Sequence, residues 1–233
     1  MKGDIISIRE IAKDVKEFIL RLDAPIRFIP GQYVMLCFEE KSRDRRAYSV
    51  VRYDAMARTI NIIVKLGGVF TQRLFSIKVD SSASRILDGI PNSPEIFVYG
   101  PYGKFILKGN RKIVFIAGGI GIVPLYSMFI NLLHTKSFND VHFHYTCRYE
   151  NEMALKDELE AIHIDNIHVK TYLTRDGLKE RFSIESIKSL KNNKDYDYYI
   201  CGPEQMMDEI ILGLKGLDIQ ESNIHKESYI MRK

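Results

Sequence analysis

Cysteine is scarce in this chain: Cys37, Cys147 and Cys201 are the three, and they lie far apart. No C-x-x-C spacing exists, so neither a zinc knuckle nor an iron–sulfur cluster is expected. The same spread argues against a disulfide framework and favours a reducing compartment, so the expected location is cytoplasmic. Dense Lys/Arg runs are absent as well; a net charge of +4 is spread over 233 residues. That excludes the basic arm of a nucleic-acid binder and leaves a mildly basic surface suited to an acidic partner. Met1 to Glu10 carries two acids and no apolar run, so a signal peptide is not expected there. No internal repeat or low-complexity segment is present.

One long stretch lacks charge altogether. Ile113 to Thr135 contains no Asp, Glu, Lys or Arg and is long enough to cross a bilayer. Gly118, Gly119, Gly121 and Pro124 break it in the middle, so it reads as a strand, a glycine turn and a buried helix, with no membrane span.

What is present is the balance of a globular protein, 45% hydrophobic and 27% charged. The length suits two domains of about 110 residues each. The first half reads as short strands rich in β-branched and aromatic residues: Asp4–Arg9, Glu17–Leu22, Gln32–Phe38, Arg46–Val51, Thr59–Leu66 and Glu95–Tyr99. Turn residues separate them, which predicts a small closed antiparallel barrel. One helix is expected at Thr71–Ile77. The texture changes at Lys108-Gly109-Asn110, so the expected domains are residues 1–107 and 108–233. Beyond the change, strands (Ile113–Ala117, Val141–Cys147, Val169–Leu173, Tyr196–Cys201) alternate with helices (from Leu125 to Leu133, Glu152–Ile162, Glu204–Leu214). That alternation predicts an α/β Rossmann-like domain with a parallel sheet.

Two motifs carry chemistry. Gly118-Gly119-Ile120-Gly121 stands between an apolar strand and an amphipathic helix, followed by Pro124, which can start a helix. Unpaired N–H groups and partial positive charge at the helix start suit a pyrophosphate. In Arg46-Ala47-Tyr48-Ser49, strand alternation puts Arg46 and Tyr48 on one face and Ala47 and Ser49 on the other. Arg46 can pair with phosphate, Tyr48 offers a flat ring and Ser49 a small donor. Gly67-Gly68 with Thr71, a candidate N-cap, offers a second helix start. Cys201-Gly202-Pro203 ends a strand where α/β sheets bind ligands, with Met206 just beyond it and Glu227 and Tyr229 near the C-terminus. A metal at His142 and His144 would need further ligands, and none is evident in sequence, so no metal is expected.

The ordered set resembles the ferredoxin–NADP reductase family from about Gly31 to Tyr229. The resemblance implies an N-terminal FAD-binding barrel, a C-terminal NAD(P)-binding domain, and hydride transfer from NAD(P)H to flavin N5. It implies that Arg46 binds the flavin phosphate, Tyr48 packs on the isoalloxazine and Ser49 reaches the N5 edge. Gly67, Gly68 and Thr71 would take the flavin pyrophosphate. Gly118, Gly119, Gly121 and Pro124 would form the nicotinamide loop. Cys201, Gly202, Pro203 and Met206 would border the nicotinamide. Glu227 would sit near the reacting centre, with Tyr229 on the flavin face. Thr174 and Arg175, followed by Arg181, match the family's adenosine-phosphate pair and lean toward NADPH over NADH. Gly100-Pro101-Tyr102-Gly103 matches the family's turn at the barrel end. The stretch around 79–94 is longer than the family pattern and leaves the mode of AMP binding open. The acceptor would be a separate ferredoxin, flavodoxin or oxygenase component. A free-flavin reductase and a non-autonomous electron-transfer subunit remain the alternatives.

Overall fold

The computed structural model of the chain describes residues 1–79, 95–109, 111–175 and 182–228. The chain divides into two compact units, Met1–Ile106 and Leu107–Lys233.

In the first unit, strands β1 (Lys2–Ala12), β2 (Val15–Leu22), β3 (Tyr33–Cys37), β4 (Arg46–Asp54), β5 (Thr59–Lys65) and β6 (Ile96–Tyr102) close into a barrel ordered β1-β2-β5-β4-β3-β6. Every neighbouring pair is antiparallel. Alternate residues fill the interior: Phe18 and Leu20, Val34 and Leu36, Ile60 and Ile62 are all fully buried. The β4–β5 hairpin turns where Asp54 Oδ1 accepts the Met56 and Ala57 N–H groups, each at 2.9 Å. A short Asp side chain can supply such bonds to the backbone just ahead of it.

The helix expected at Thr71–Ile77 is α1 (Val69–Phe75), displaced toward the N-terminus. Thr71 is not its N-cap; Gly68 is, in extended conformation and with no side-chain cap. The Thr71 hydroxyl folds back, accepting the Gly67 N–H and donating to the Gly68 carbonyl, both at 2.8 Å. The earlier start has a packing cause. Phe70 and Leu74 are four residues apart, on one helical face, and both are buried against the barrel. Of the longer stretch around 79–94, all but Val79 lies outside the described residues.

The second unit is a parallel sheet of β7 (Lys112–Gly118), β8 (Asp140–Cys147), β9 (Ile167–Leu173), β10 (Asp197–Gly202) and β11 (Ile224–Ser228). Its order is β11-β10-β7-β8-β9. The helices are α2 (Ile122–Thr135), α3 (Lys156–Glu160), α4 (Glu185–Lys188) and α5 (Glu204–Gly216). The β7 strand is buried at every residue after Lys112, and β10 throughout. Both faces of a central parallel strand need cover. Phe115 of β7 meets Phe129 of α2, with ring centroids 6.2 Å apart. Its neighbours Val114 and Ile116 point the other way and pack with Ile187 of α4 and Met207, Ile210 and Leu214 of α5.

The uncharged run from Ile113 to Thr135 resolves into β7, a 3₁₀ turn over Gly119–Gly121, and α2. No helix among the described residues is long and apolar enough to cross a membrane. The helix expected over Glu152–Ile162 is reduced to Lys156–Glu160. Leu155 stands before it with φ of 60°. A left-handed residue cannot propagate a right-handed helix. Two elements, β11 and α4, have no counterpart among the expected ones.

Candidate functional site

The strand order reverses between β7 and β10. The chain runs outward from β7 to β8 and β9, then returns to the other side of β7. In such sheets the ligand crevice lies beyond the carboxyl ends of the two strands at the reversal. Those ends are Gly118 on β7 and Gly202 on β10, so the glycine turn and Cys201-Gly202-Pro203 meet at one place.

The glycines there do different jobs. A Cβ on Gly121 would stand 2.3 Å from the Cys201 carbonyl oxygen, against rigid backbone. A Cβ on Gly118 would meet Met206 Sδ at 2.6 Å and Pro203 Cδ at 2.8 Å, and one on Gly202 would meet the Gly118 Cα at 2.9 Å. These three glycines let the ends of β7 and β10 close on the first turn of α5, with Met206 wedged between them. Gly119 differs: its φ is 54° and nothing lies within 4 Å of an added Cβ. Gly119 is therefore the turn residue with open space in front of it. Behind it α2 begins at Ile122 with Gly121 as N-cap and no side-chain cap. The Ile122 N–H is taken by the Gly119 carbonyl of the 3₁₀ turn and Pro124 has none, but no side chain competes for the partial positive charge of this helix start, which suits a dinucleotide pyrophosphate. Pro124 is the third residue of α2, where a missing N–H costs no helical hydrogen bond.

Cys201 is fully buried and outside any disulfide. It pairs in register with Glu227 of β11. Adjacent residues on parallel strands face the same side, so a thiol and a carboxyl stand together at this strand end. Glu227 Oε2 is shielded from solvent without a hydrogen-bond partner. Burial pushes its carboxyl up to about 7. On the far side of the sheet, Thr174 and Arg175 follow β9, their N–H groups donating to the Cys147 and Arg148 carbonyls at 2.9 and 3.0 Å. The β8 and β9 ends are thereby laced together and carry two exposed guanidinium groups, Arg148 and Arg175. Arg181 and Tyr229 lie outside the described residues.

In the barrel unit, Arg46 and Tyr48 share one face of β4, both half-buried, while Ser49 is buried at 3% exposure. Ala47, the alternate of Ser49, is exposed; the simple alternation of the sequence ends at a bulge between Val50 and Arg52. The Arg46 guanidinium is ion-paired with Asp44 and lies 5.9 Å from the Phe70 ring centroid. The Tyr48 ring is 6.1 Å from the same Phe70. Burial pushes the Tyr48 phenol up, so it stays protonated. Phe70 packs on Phe38 at 4.8 Å, and Arg73 of α1 covers Phe38 at 4.0 Å. Two guanidinium groups therefore flank one aromatic pair. Sequence reasoning found Arg46 but missed Arg73 and Phe70, since no motif marks them; the i, i+3 spacing on α1 was the available signal.

Comparison with known proteins agrees with these two units. Residues 2–106 match the family model of the oxidoreductase FAD-binding domain, and residues 115–211 match that of the oxidoreductase NAD-binding domain. A "Probable dihydroorotate dehydrogenase B (NAD(+)), electron transfer subunit" from Thermococcus kodakarensis is 28% identical over 97% of this chain and 83% of its own. A flavohemoprotein from Bacillus cereus is 26% identical over 87% of this chain and 53% of its own. The solved ferredoxin reductase of carbazole 1,9a-dioxygenase superposes with a TM-score of 0.79 at 22% identity, over 99% of this chain and 69% of that one, a likeness of fold.

A flavin-binding barrel followed by a nicotinamide-binding α/β unit defines an NAD(P)H-dependent flavin oxidoreductase. The chain belongs to the ferredoxin–NADP reductase-like superfamily of FAD/NAD(P)-binding oxidoreductases.

Proposed function

We propose that this chain is the reductase or electron-transfer subunit of a larger system, with its acceptor carried by a partner protein. One observation carries the reading: this chain's own 233 residues hold three dispersed cysteines, all buried, so they supply no cysteine set for an iron–sulfur relay. The named relative from Thermococcus is itself an electron-transfer subunit. The net charge of +4 suits an acidic partner such as a ferredoxin or flavodoxin, or an oxygenase component. The three cysteines, none of them in a disulfide, suit a cytoplasmic setting.

The residue roles follow from the placements above. Bound FAD would supply two-electron acceptance with one-electron release. Arg46 would exchange its exposed partner Asp44 for a flavin phosphate. Tyr48 would pack on the isoalloxazine, and Ser49 would offer its hydroxyl near the N5 edge. Gly67 and Gly68, with the turn that Thr71 closes, would border the flavin pyrophosphate. The α2 N-terminus would hold the nicotinamide pyrophosphate over Gly119 to Ile122. Gly118, Gly121, Gly202, Pro203 and Met206 would shape the cradle by closing its walls. Cys201 and Glu227 would set the position of the nicotinamide ring, a matter of orientation to which rate is very sensitive.

For the nucleotide, this reading favours NADPH: Thr174, Arg148 and Arg175, at the ends of β8 and β9, would take the adenosine phosphate, and no carboxylate ends β8. NADH is the second reading, favoured by the NAD(+) in the name of the Thermococcus relative. Flavin retention through purification, followed by turnover with each nucleotide and a soluble acceptor protein, tests all three points. Release of flavin on dilution, with turnover only when free flavin is added, would replace the subunit reading with that of a free-flavin reductase.

A further inference from the structure

At the opposite end of the second sheet from the glycine turn, three metal-ligating groups converge. Asp140 and His142 open β8, and His168 is the register partner of His142 on β9. The Nε2 atoms of His142 and His168 stand 3.4 and 3.6 Å from the same atom, Asp140 Oδ1. All three ligand atoms lie within 4.8 Å of one another. The two imidazole rings are stacked, with centroids 4.6 Å apart. We propose that Asp140, His142 and His168 form a binding site for a borderline divalent transition ion, best met by Zn²⁺.

Asp140 Oδ1 is shielded from solvent and, beyond these two long imidazole approaches, has no hydrogen-bond partner. An orphaned carboxylate oxygen facing two imidazole nitrogens lacks only the cation that all three would share. The spacing suits that ion. Four ligands around tetrahedral zinc, at about 2.0–2.1 Å from the metal, stand roughly 3.3–3.4 Å apart. The carboxylate–imidazole separations are already near that value, and a rotation of the exposed His168 ring brings the two nitrogens together. Asp140 is itself held: the Tyr196 hydroxyl donates to its other oxygen, Oδ2. Ligating carboxylates in metal sites are fixed by such outer bonds. Lys112, the cation beside Tyr196, is paired with Asp195 at 3.1 Å. His168 is 54% exposed, leaving room for water in the fourth position.

Five residues of β8, 143–147, lie between His142 and the strand's carboxyl end, so the cluster stands roughly 16–23 Å from it. The ion therefore clips β8 to the edge strand β9 and takes no part in hydride transfer.

The test uses untagged, flavin-loaded protein stripped of metal by chelation. Calorimetric titration with Zn²⁺ should show one equivalent bound, and Mg²⁺ should show none, because imidazole donors disfavour hard ions. Co²⁺ should give the visible ligand-field absorption of a tetrahedral site, displaced by Zn²⁺. His168→Ala and Asp140→Asn should each weaken Zn²⁺ at least tenfold, and Tyr196→Phe by 10- to 100-fold with the ligands intact. Reduction of the flavin by NAD(P)H should be the same in His168→Ala as in the wild type, which also reports that the variant is folded. Failure of the wild type to bind Zn²⁺ overturns the site. So does binding that is unchanged in both His168→Ala and Asp140→Asn.

Discussion

Glu227 gives the sharpest single test of how the second unit is built. Its carboxyl stands beside Cys201 with Oε2 shielded and unpartnered, and burial raises it from 4.5 to about 7. The sign of the consequence is fixed. Below pH 4.5 the group is protonated in both folded and unfolded chains and contributes nothing. As pH rises, the unfolded chain releases its proton first, so the group destabilises the fold progressively up to about pH 7 and by a constant amount above. The full penalty is about 2–3 kcal/mol, allowing for partial solvent access to the side chain. Glu227→Gln keeps the shape of the protonated acid and removes the titration. Its infrared difference spectrum against wild type should isolate one protonated-carboxyl band that disappears with a midpoint near pH 7. The stability advantage of Glu227→Gln should grow by about 2 kcal/mol between pH 5 and 8. A carboxyl midpoint below about 5, the ordinary range for Glu, refutes the reasoning.

Further outcomes follow from the same geometry. Gly119→Asn and Gly119→Asp both tolerate the left-handed turn and enter open space, so they differ only in charge; the Asp variant should lose at least tenfold in nucleotide affinity while Asn stays within about threefold, measured by flavin-reduction kinetics. Gly121→Ala pushes a Cβ against the Cys201 carbonyl and should lower stability by about 3 kcal/mol or more, seen as a reduced melting temperature without any ligand. Arg46→Ala removes a charge-assisted bond worth about 1.5–3 kcal/mol, so FAD affinity should fall roughly 10- to 100-fold by equilibrium dialysis.

Much of the architecture was legible because its signals are local. Alternation in Leu20-Arg21-Leu22 and Thr59-Ile60-Asn61-Ile62 encodes a half-buried strand, and the uncharged Ile113–Ala117 encodes a doubly buried one. What escaped depends on tertiary context. The start of the expected 152–162 helix is cut off by the left-handed Leu155, a conformation no propensity anticipates. Strand β11 is short and polar, Ile224–Ser228, and forms because β10 offers it an open edge. Thr71 reads as an N-cap, yet burial of Phe70 draws the helix start past it. The glycine turn was found by pattern, but its pattern does not separate Gly119, which faces open space, from Gly121, which faces the Cys201 backbone. His168 joins His142 only through the β8–β9 register, and linear spacing carries no trace of it.

The central claim is that NAD(P)H reduces flavin held by this chain, which then serves a separate acceptor. Anaerobic titration of the FAD-loaded protein, following the visible flavin absorption, tests it most directly. The account predicts that one equivalent of NADPH or NADH bleaches the flavin, and that oxidised acceptor protein restores the colour. Flavin that stays oxidised in excess of both nucleotides would contradict it.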